Sequence, residues 1–275
     1  MMQDRVLIVE KRNAVTVVTL NRPDKANALN EELKVALINE FRKLADDAET
    51  GAILLRGAGN HFCSGQDFND VVLGTTSKDL EVCRRAFSHL VTTIFEQIVN
   101  MGTPVIASVR GMITGEGLPL AAVCDLVIAS ENTVFQFPGT NLAGASIGPA
   151  VVAARYMGIK KTLEYMFTGE PLVAADAERY GLVNRVVPDD ELDQAAFALA
   201  EKIANKVMAN PVSVKELGKV VFYMAMDMER SKAFRYAHME LAQCFITQPA
   251  IDGARLFLDG KLSKKDLQLD GLFED

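Results

Sequence analysis

Val105-Ile-Ala-Ser-Val-Arg-Gly-Met-Ile-Thr-Gly-Glu-Gly-Leu-Pro-Leu-Ala-Ala-Val-Cys-Asp-Leu-Val-Ile-Ala129 is the stretch on which the reading of this chain turns. An apolar run over 105–109 stops at Gly111, and a Gly-X-Gly turn follows at 115–117. A small-residue helix of about two turns comes next, and a second apolar strand opens at Asp125. A strand delivered into such a turn, with a helix starting there, leaves backbone N–H groups at the positive end of a helix dipole. That arrangement suits an anion, or an oxygen that becomes one during a reaction.

On the N-terminal side, Val6–Glu10 and Ala14–Leu20 are β-rich runs separated by Lys11-Arg12-Asn13, which predicts an opening hairpin. Asn21–Asn27 is a loop of turn formers. From Asn30 the pattern is helical, with Leu33, Leu37, Phe41 and Leu44 on one face and Asn30 or Glu31 near the cap. Ala52–Arg56 reads as a buried strand and Gly57–Gly65 as a small-residue loop. A long helix is predicted over Lys78–Met101, and Pro104 introduces the strand at 105. Leu126–Ala129 and Thr133–Phe137 are further strands, leading towards Ser146–Met157. A strand–strand–helix rhythm therefore repeats, with some strands missing.

Beyond about residue 160 the pattern is helical over Lys161–Phe167, Ala174–Tyr180, Asp189–Met208, Pro211–Met228, Arg230–Thr247 and Pro249–Gly260, with a strand at Val183–Val187. The long amphipathic helices between 189 and 228 exceed what the core requires and are expected to carry subunit contacts. The charged tail, Lys261–Asp275, is expected to be loosely ordered.

A net charge of −7 without a long basic run argues against a nucleic acid or an anionic membrane as partner. No apolar run approaches the roughly 18 residues of a membrane span. The four cysteines lack metal spacing and only three histidines occur, at 61, 89 and 238, so no metal site is expected. With no apolar signal segment before the first strand, the expected location is a reducing cytoplasm.

Four segments resemble the crotonase, or enoyl-CoA hydratase/isomerase, superfamily. Leu20-Asn-Arg-Pro-Asp-Lys-Ala-Asn-Ala-Leu-Asn30 is similar to its N-R-P-x-x-x-N-A-L-N signature, and His61-Phe-Cys-Ser-Gly-Gln-Asp-Phe68 to its F-x-x-G-x-D loop. Gly111-Met-Ile-Thr-Gly-Glu-Gly117 with Cys124-Asp125 looks like a variant of G-x-x-x-G-G-G…C-D. Thr168–Pro188 resembles the T-G…A-x-x-A…G-L-V-[ND]-x-V-V-P segment.

The resemblance implies an α/β fold, a crotonase-like spiral of ββα units with a helical C-terminal trimerisation region. The acyl-CoA-binding core would span 1–200 and the helical region 201–275. It further implies a homotrimer or dimer of trimers acting on an acyl-CoA, with coenzyme A present as part of the substrate and no other cofactor. Two backbone N–H groups, carried over to Gln66 and Glu116, would stabilise a thioester oxyanion or enolate. Substrate-binding positions carried over are Arg22, Lys25, Ala26 and Ala28 on the first loop, and Ser64, Gly65, Asp67 and Phe68 on the second. Ile113, Gly115 and Pro119 follow on the third, then Pro138, Gly139, Thr140 and Leu142, and finally Lys261.

The hydratases of this family use two glutamates as acid and base. Their positions here hold Pro119 and Gly139, and no Asp or Glu occurs between Glu131 and Glu164. Pro119 is tolerated because the first turn of a helix makes no use of its N–H. Glu116 stands where the family has glycine, either as a relocated acid/base or as a carboxylate filling the space glycine leaves. Asp67 is expected chiefly to fix its loop, and Asp125 to cap a turn. Cys63 is read as packing rather than as a nucleophile, and His89 and His238 as surface or packing residues. Thr140 and Asn141 either orient a water or substrate, or cap their loop. Arg22, Lys25 and Lys261 are candidate phosphate contacts, each with a solvated surface charge as the alternative.

The leading expectation is an acyl-CoA enzyme whose reaction is not two-glutamate hydration but isomerisation, decarboxylation or hydrolysis. The alternatives are a non-catalytic acyl-CoA-binding or structural homologue, and a CoA-independent β-diketone C–C hydrolase.

Overall fold

Strands buried on both faces need unbroken apolar runs, and they pair in parallel where helices cover the sheet. Val15–Leu20 (β2) is buried at every position, as is Val105–Val109 (β4), and Ala52–Gly57 (β3) is buried over its first four. In the computed structural model, which describes residues 5–69, 79–84 and 89–262, these runs form the centre of a six-stranded sheet. Leu7–Arg12 (β1) pairs antiparallel with β2 as the expected hairpin. The parallel strands β2, β3 and β4 follow, then Leu126–Ser130 (β6) and Arg185–Val187 (β9). A second, three-stranded sheet joins Met112–Thr114 (β5), Val134–Gln136 (β7) and Leu172–Val173 (β8).

By contact the chain divides into two compact units, Met1–Asn205 and Lys206–Asp275. In the first, one face of the large sheet (Val18, Leu20, Ile53, Leu55, Val105, Ala107) packs against Glu31–Ala45 (α1) and Leu90–Asn100 (α2). Leu33, Leu37, Phe41 and Leu44 are the buried stripe of α1, as their spacing predicted. Asn30 caps that helix by accepting the Leu33 N–H at 3.0 Å, and Glu31 and Glu32 in the first turn with Arg42 and Lys43 in the last suit its dipole. The helix expected over 78–101 is found as a short α-helix at Leu80–Arg84 and as α2; residues 85–88 between them lie outside the described residues.

The opposite face of the sheet (Val15, Val17, Ala52, Leu54, Ile106, Ile128) is covered by Leu192, Ala196, Ala200 and Ala204 of the helix Leu192–Ala209. This corrects the expectation that the helix is surplus to the core. Its alanine stripe is narrow enough to lie directly on the strands, and a methyl on Gly51 would sit 2.8 Å from the Ala204 carbonyl oxygen.

Within the second unit, Val212–Val220 is a π-helix where an α-helix was expected, and Val221–Met226, Arg230–Phe245 and Gln248–Leu258 are α-helical. Apolar side chains stand exposed along these helices, among them Phe222, Met226, Phe234, Met239, Phe257 and Leu258. Most of the tail expected to be loose lies outside the described residues.

One buried amide ties the loops at the carboxyl ends of the central strands. Asn27 is fully buried; its Oδ1 accepts the Arg22 N–H at 2.8 Å, and its Nδ2 donates to the carbonyls of Ala58 (2.9 Å) and His61 (2.7 Å). Ala26 and Asn27 are both held at positive φ, 47° and 55°, a conformation that costs a non-glycine residue about 1–2 kcal/mol. Three hydrogen bonds outweigh that strain. Asn27→Ala removes all three hydrogen bonds from partly buried backbone groups, and should lower the urea-unfolding free energy by about 1–3 kcal/mol; a smaller loss would show that the loop holds without the strut.

Candidate active site

Two loops meet main chain to main chain in the first unit. The loop after β3 bridges Cys63 to Ile113 on one side and Gln66 to Leu29 on the other. The Leu29 N–H donates to Gly65 O (2.7 Å), the Ser64 N–H to Ala26 O (3.0 Å), and Thr114 Oγ1 to Ser64 O (2.7 Å). Gly65 has φ 94°, and a methyl there would fall 2.7 Å from Thr114 O and 3.0 Å from the amide nitrogen of Glu116. Only glycine fits this crossing. Residues 65–66 and 115–116, far apart in sequence, are thereby brought together through their backbones.

Gly117–Ala122 (α3) begins at this point, with Glu116 at its N-cap and Pro119 buried in its first turn, as proline tolerates. The half-buried Glu116 carboxyl reaches towards Ile147–Met157 (α4), where a methyl on Gly148 would lie 3.3 Å from Oε1. Burial pushes this carboxyl up to about 7, against the downward pull of the Lys34 ammonium. Sequence reasoning missed Lys34. It is 1% exposed, and its Nζ donates to Gln66 Oε1 at 3.0 Å. The available signal was its spacing, since residue 34 is in helical phase with the buried Ile38 and Phe41.

Cys63 is fully buried, and desolvation raises its thiol to about 12, so it is protonated at neutral pH and serves as packing. Asp67 is a loop-fixing residue: it pairs with Arg22 at 2.9 Å and accepts the Asn69 N–H at 3.0 Å. Burial alone would raise its carboxyl, but those partners hold it below the ordinary range. Arg22, expected at a phosphate, is turned inward instead, with its guanidinium on Asp67 and on the Ala28 carbonyl. Lys25 is exposed on the turn Pro23–Lys25, while Lys261 belongs to the second unit and pairs with Asp259 at 2.9 Å.

Ile113 is fully buried, so its side chain serves the core, whereas Phe68 and Leu142 are well exposed and Pro138 is half-buried. Asp125 accepts the Val105 N–H at 2.7 Å, which ties the start of β6 to the start of β4 rather than capping a turn as expected. Thr140 Oγ1 donates to Met166 O (3.2 Å) and Asn141 Nδ2 to Gly169 O (3.1 Å), so both cap the end of the helix Ile159–Thr168. Gly139 lies under a loop that folds back on it. Its N–H donates to Ser146 Oγ at 2.9 Å, and any side chain would meet the Ala145 carbonyl carbon and Ser146 nitrogen at 2.5 Å. Among the described residues no cluster of His, Cys, Asp and Glu could hold a metal ion, and no helix is long and apolar enough to cross a membrane.

A mixed α/β chain whose glycine-lined loops converge at one end of a parallel sheet defines a class of small-molecule enzymes. The chain belongs to the enoyl-CoA hydratase/isomerase family, whose profile matches residues 10–255. It is 32% identical to the short-chain-enoyl-CoA hydratase of Clostridium acetobutylicum over 92% of this chain and 94% of that protein. It is 28% identical to the rat mitochondrial enoyl-CoA hydratase domain-containing protein 3, over 93% and 83% respectively. The crystal structure of an enoyl-CoA hydratase from Mycobacterium smegmatis superposes with a TM-score of 0.86 at 32% identity, covering 93% of this chain and 96% of that one. The crystal structure of human enoyl coenzyme A hydratase domain-containing protein 3 does so with 0.83 at 27% identity, covering 93% and 98%. The fold is therefore the crotonase fold expected from the sequence.

Because the folded protein holds the Glu116 proton more tightly than the unfolded chain does, the associated stability is present in full below about pH 4.5 and is lost as pH rises through about 7. Over that window the unfolding free energy of the wild type should fall, relative to Glu116→Gln, by on the order of 1–3 kcal/mol. Parallel stability–pH curves for the two proteins would show that the carboxyl is not desolvated.

Proposed function

We propose that this chain is an acyl-CoA-processing enzyme in which the main-chain amides of Gln66 and Glu116 stabilise a thioester oxyanion or enolate, and in which the Glu116 side chain moves the proton. The observation that carries the reading is the crossing at Gly65, which sets the backbone of residues 65–66 against the Glu116 amide. Preorganised N–H groups aimed at a developing oxyanion are the largest single contribution in such chemistry, and loss of one costs about 3 kcal/mol. A carboxyl near 7 is matched to both giving and taking a proton at neutral pH.

Two-glutamate hydration is disfavoured because Pro119 and Gly139 occupy the required positions and a side chain at 139 has no room. Isomerisation, decarboxylation or thioester hydrolysis needs only the hole and one proton-transfer group. Coenzyme A would enter as part of the substrate, with exposed Lys25 available to its phosphates. The apolar side chains exposed on the C-terminal helices support a homotrimer or dimer of trimers. A cytoplasmic site of action agrees with the free thiols of Cys63, Cys124 and Cys244.

Acyl-CoA thioesters should raise the melting temperature, with free CoA competing, and crotonyl-CoA should be hydrated at a negligible rate. On whichever thioester turns over, Glu116→Gln should lower kcat by about 100-fold or more with KM little changed. Unchanged turnover would remove Glu116 from the mechanism, and absence of any thioester binding would remove the acyl-CoA reading. Binding of a β-diketone that CoA does not displace would favour a C–C hydrolase.

A further inference from the structure

Helix α1 carries a lysine where a core residue belongs. Burying an ammonium is costly unless hydrogen bonds and an opposite charge compensate it, and a methionine or leucine would fill the same phase of the helix at no such cost. Lys34 is nonetheless among the largest fully buried side chains of the described residues. Its Nζ donates to Gln66 Oε1 at 3.0 Å, among the interactions that hold it. Gln66 is the residue on one side of the Gly65 crossing, and Glu116, on the other side, feels the Lys34 charge. One buried cation thus holds the Gln66 side chain by a hydrogen bond and lies close enough to Glu116 for its charge to favour the carboxylate.

We propose that Lys34 is a positioning residue of this site, its ammonium anchoring the Gln66 side chain and serving as the counter-charge to the Glu116 carboxylate. The proposal rests on the reading of Glu116 as the group that moves the proton, and it adds what keeps that group ionisable. From α1 the carboxyl is faced by Lys34, and from the loop after β3 by Cys63, whose thiol is protonated and uncharged at neutral pH. From α4 it meets the main chain at Gly148. Burial favours the neutral acid and Lys34 favours the anion. Without the lysine, desolvation would shift Glu116 further towards the neutral acid. With it, the carboxyl exchanges a proton in either direction. The Gln66 contact adds a mechanical role, since the side chain held by Lys34 belongs to the residue whose amide is one of the two donors.

The test is a titration of the full-length protein by 13C NMR of labelled glutamate side chains, with Glu116 assigned by its loss in Glu116→Gln. Lys34→Met should move the Glu116 midpoint upward from about 7 by roughly one pH unit. Lys34→Arg, which keeps the charge, should leave it near the wild-type value. A folded Lys34→Met protein with an unmoved midpoint overturns the proposal. If Lys34→Met does not fold, the 15N resonance of the Lys34 ammonium in the unsubstituted protein supplies the readout. It should shift with the same midpoint as Glu116 and lose that step in Glu116→Gln; a flat resonance overturns the proposal. Neither measurement uses turnover, so failure of the acyl-CoA reading would appear separately, as absence of thioester binding by the wild type.

Discussion

The structure of the site depends on one close approach between two stretches of backbone. Gly65 passes so near Thr114 and Glu116 that no side chain fits between them. Hydrogen bonds from Thr114 to Ser64, from Ser64 to Ala26 and from Leu29 to Gly65 stitch three loops to the crossing. Those loops are in turn fixed to the sheet by the Asn27 amide and by the Arg22–Asp67 pair. The large sheet supplies the rigid floor, because its central strands are covered on one face by α1 and α2 and on the other by the alanine stripe of 192–204. The proposed pair of amides could hold a developing oxyanion only on a scaffold that does not give when charge develops, and the constraint at this crossing is main-chain geometry rather than side-chain choice.

Glu116 turns that scaffold to a particular use. In a turn where its relatives' signature has glycine, it places a carboxyl beside the very amide it contributes, over the start of α4. The family's two glutamate positions are closed for separate reasons: residue 119 is a buried proline in a short helix, and residue 139 is wedged under its own loop. On the proposed reading, proton handling falls to Glu116 at the start of α3 rather than to either of those positions. The proposed role of Lys34 belongs to the same reading, because a partly buried carboxyl is kept ionisable by a nearby cation.

Much of this was legible in the sequence. Unbroken apolar runs marked the central strands, the Asn30 cap and the Leu33/Leu37/Phe41/Leu44 stripe marked α1, and the glycine-bracketed turn pointed to the crossing before its partner loop was known. What escaped falls into two kinds. Short strands such as β5 and β8 owe their pairing to neighbours distant in sequence and carry little periodicity of their own. Side chains whose roles are set by tertiary neighbours were also misread. Arg22 looks like a free surface charge until Asp67 is found beside it, and the helix from 192 looks surplus to the core until its alanines are seen lying on the sheet. Lys34 is instructive in another way. It went unread although its spacing is that of the core, because its charge is that of the surface, and its bond to Gln66 is among the interactions that reconcile the two.

The wedge at Gly139 bears on how such a protein diverges. A lost side chain is recovered by changing one codon, but here the space itself has been taken by the chain between 139 and 146, closed on the Ser146 hydroxyl. Placing a carboxylate there would require that segment to be rerouted. The constraint at residue 139 is therefore stored in the path of the polypeptide, and a single substitution there disturbs the loop before it can add a functional group.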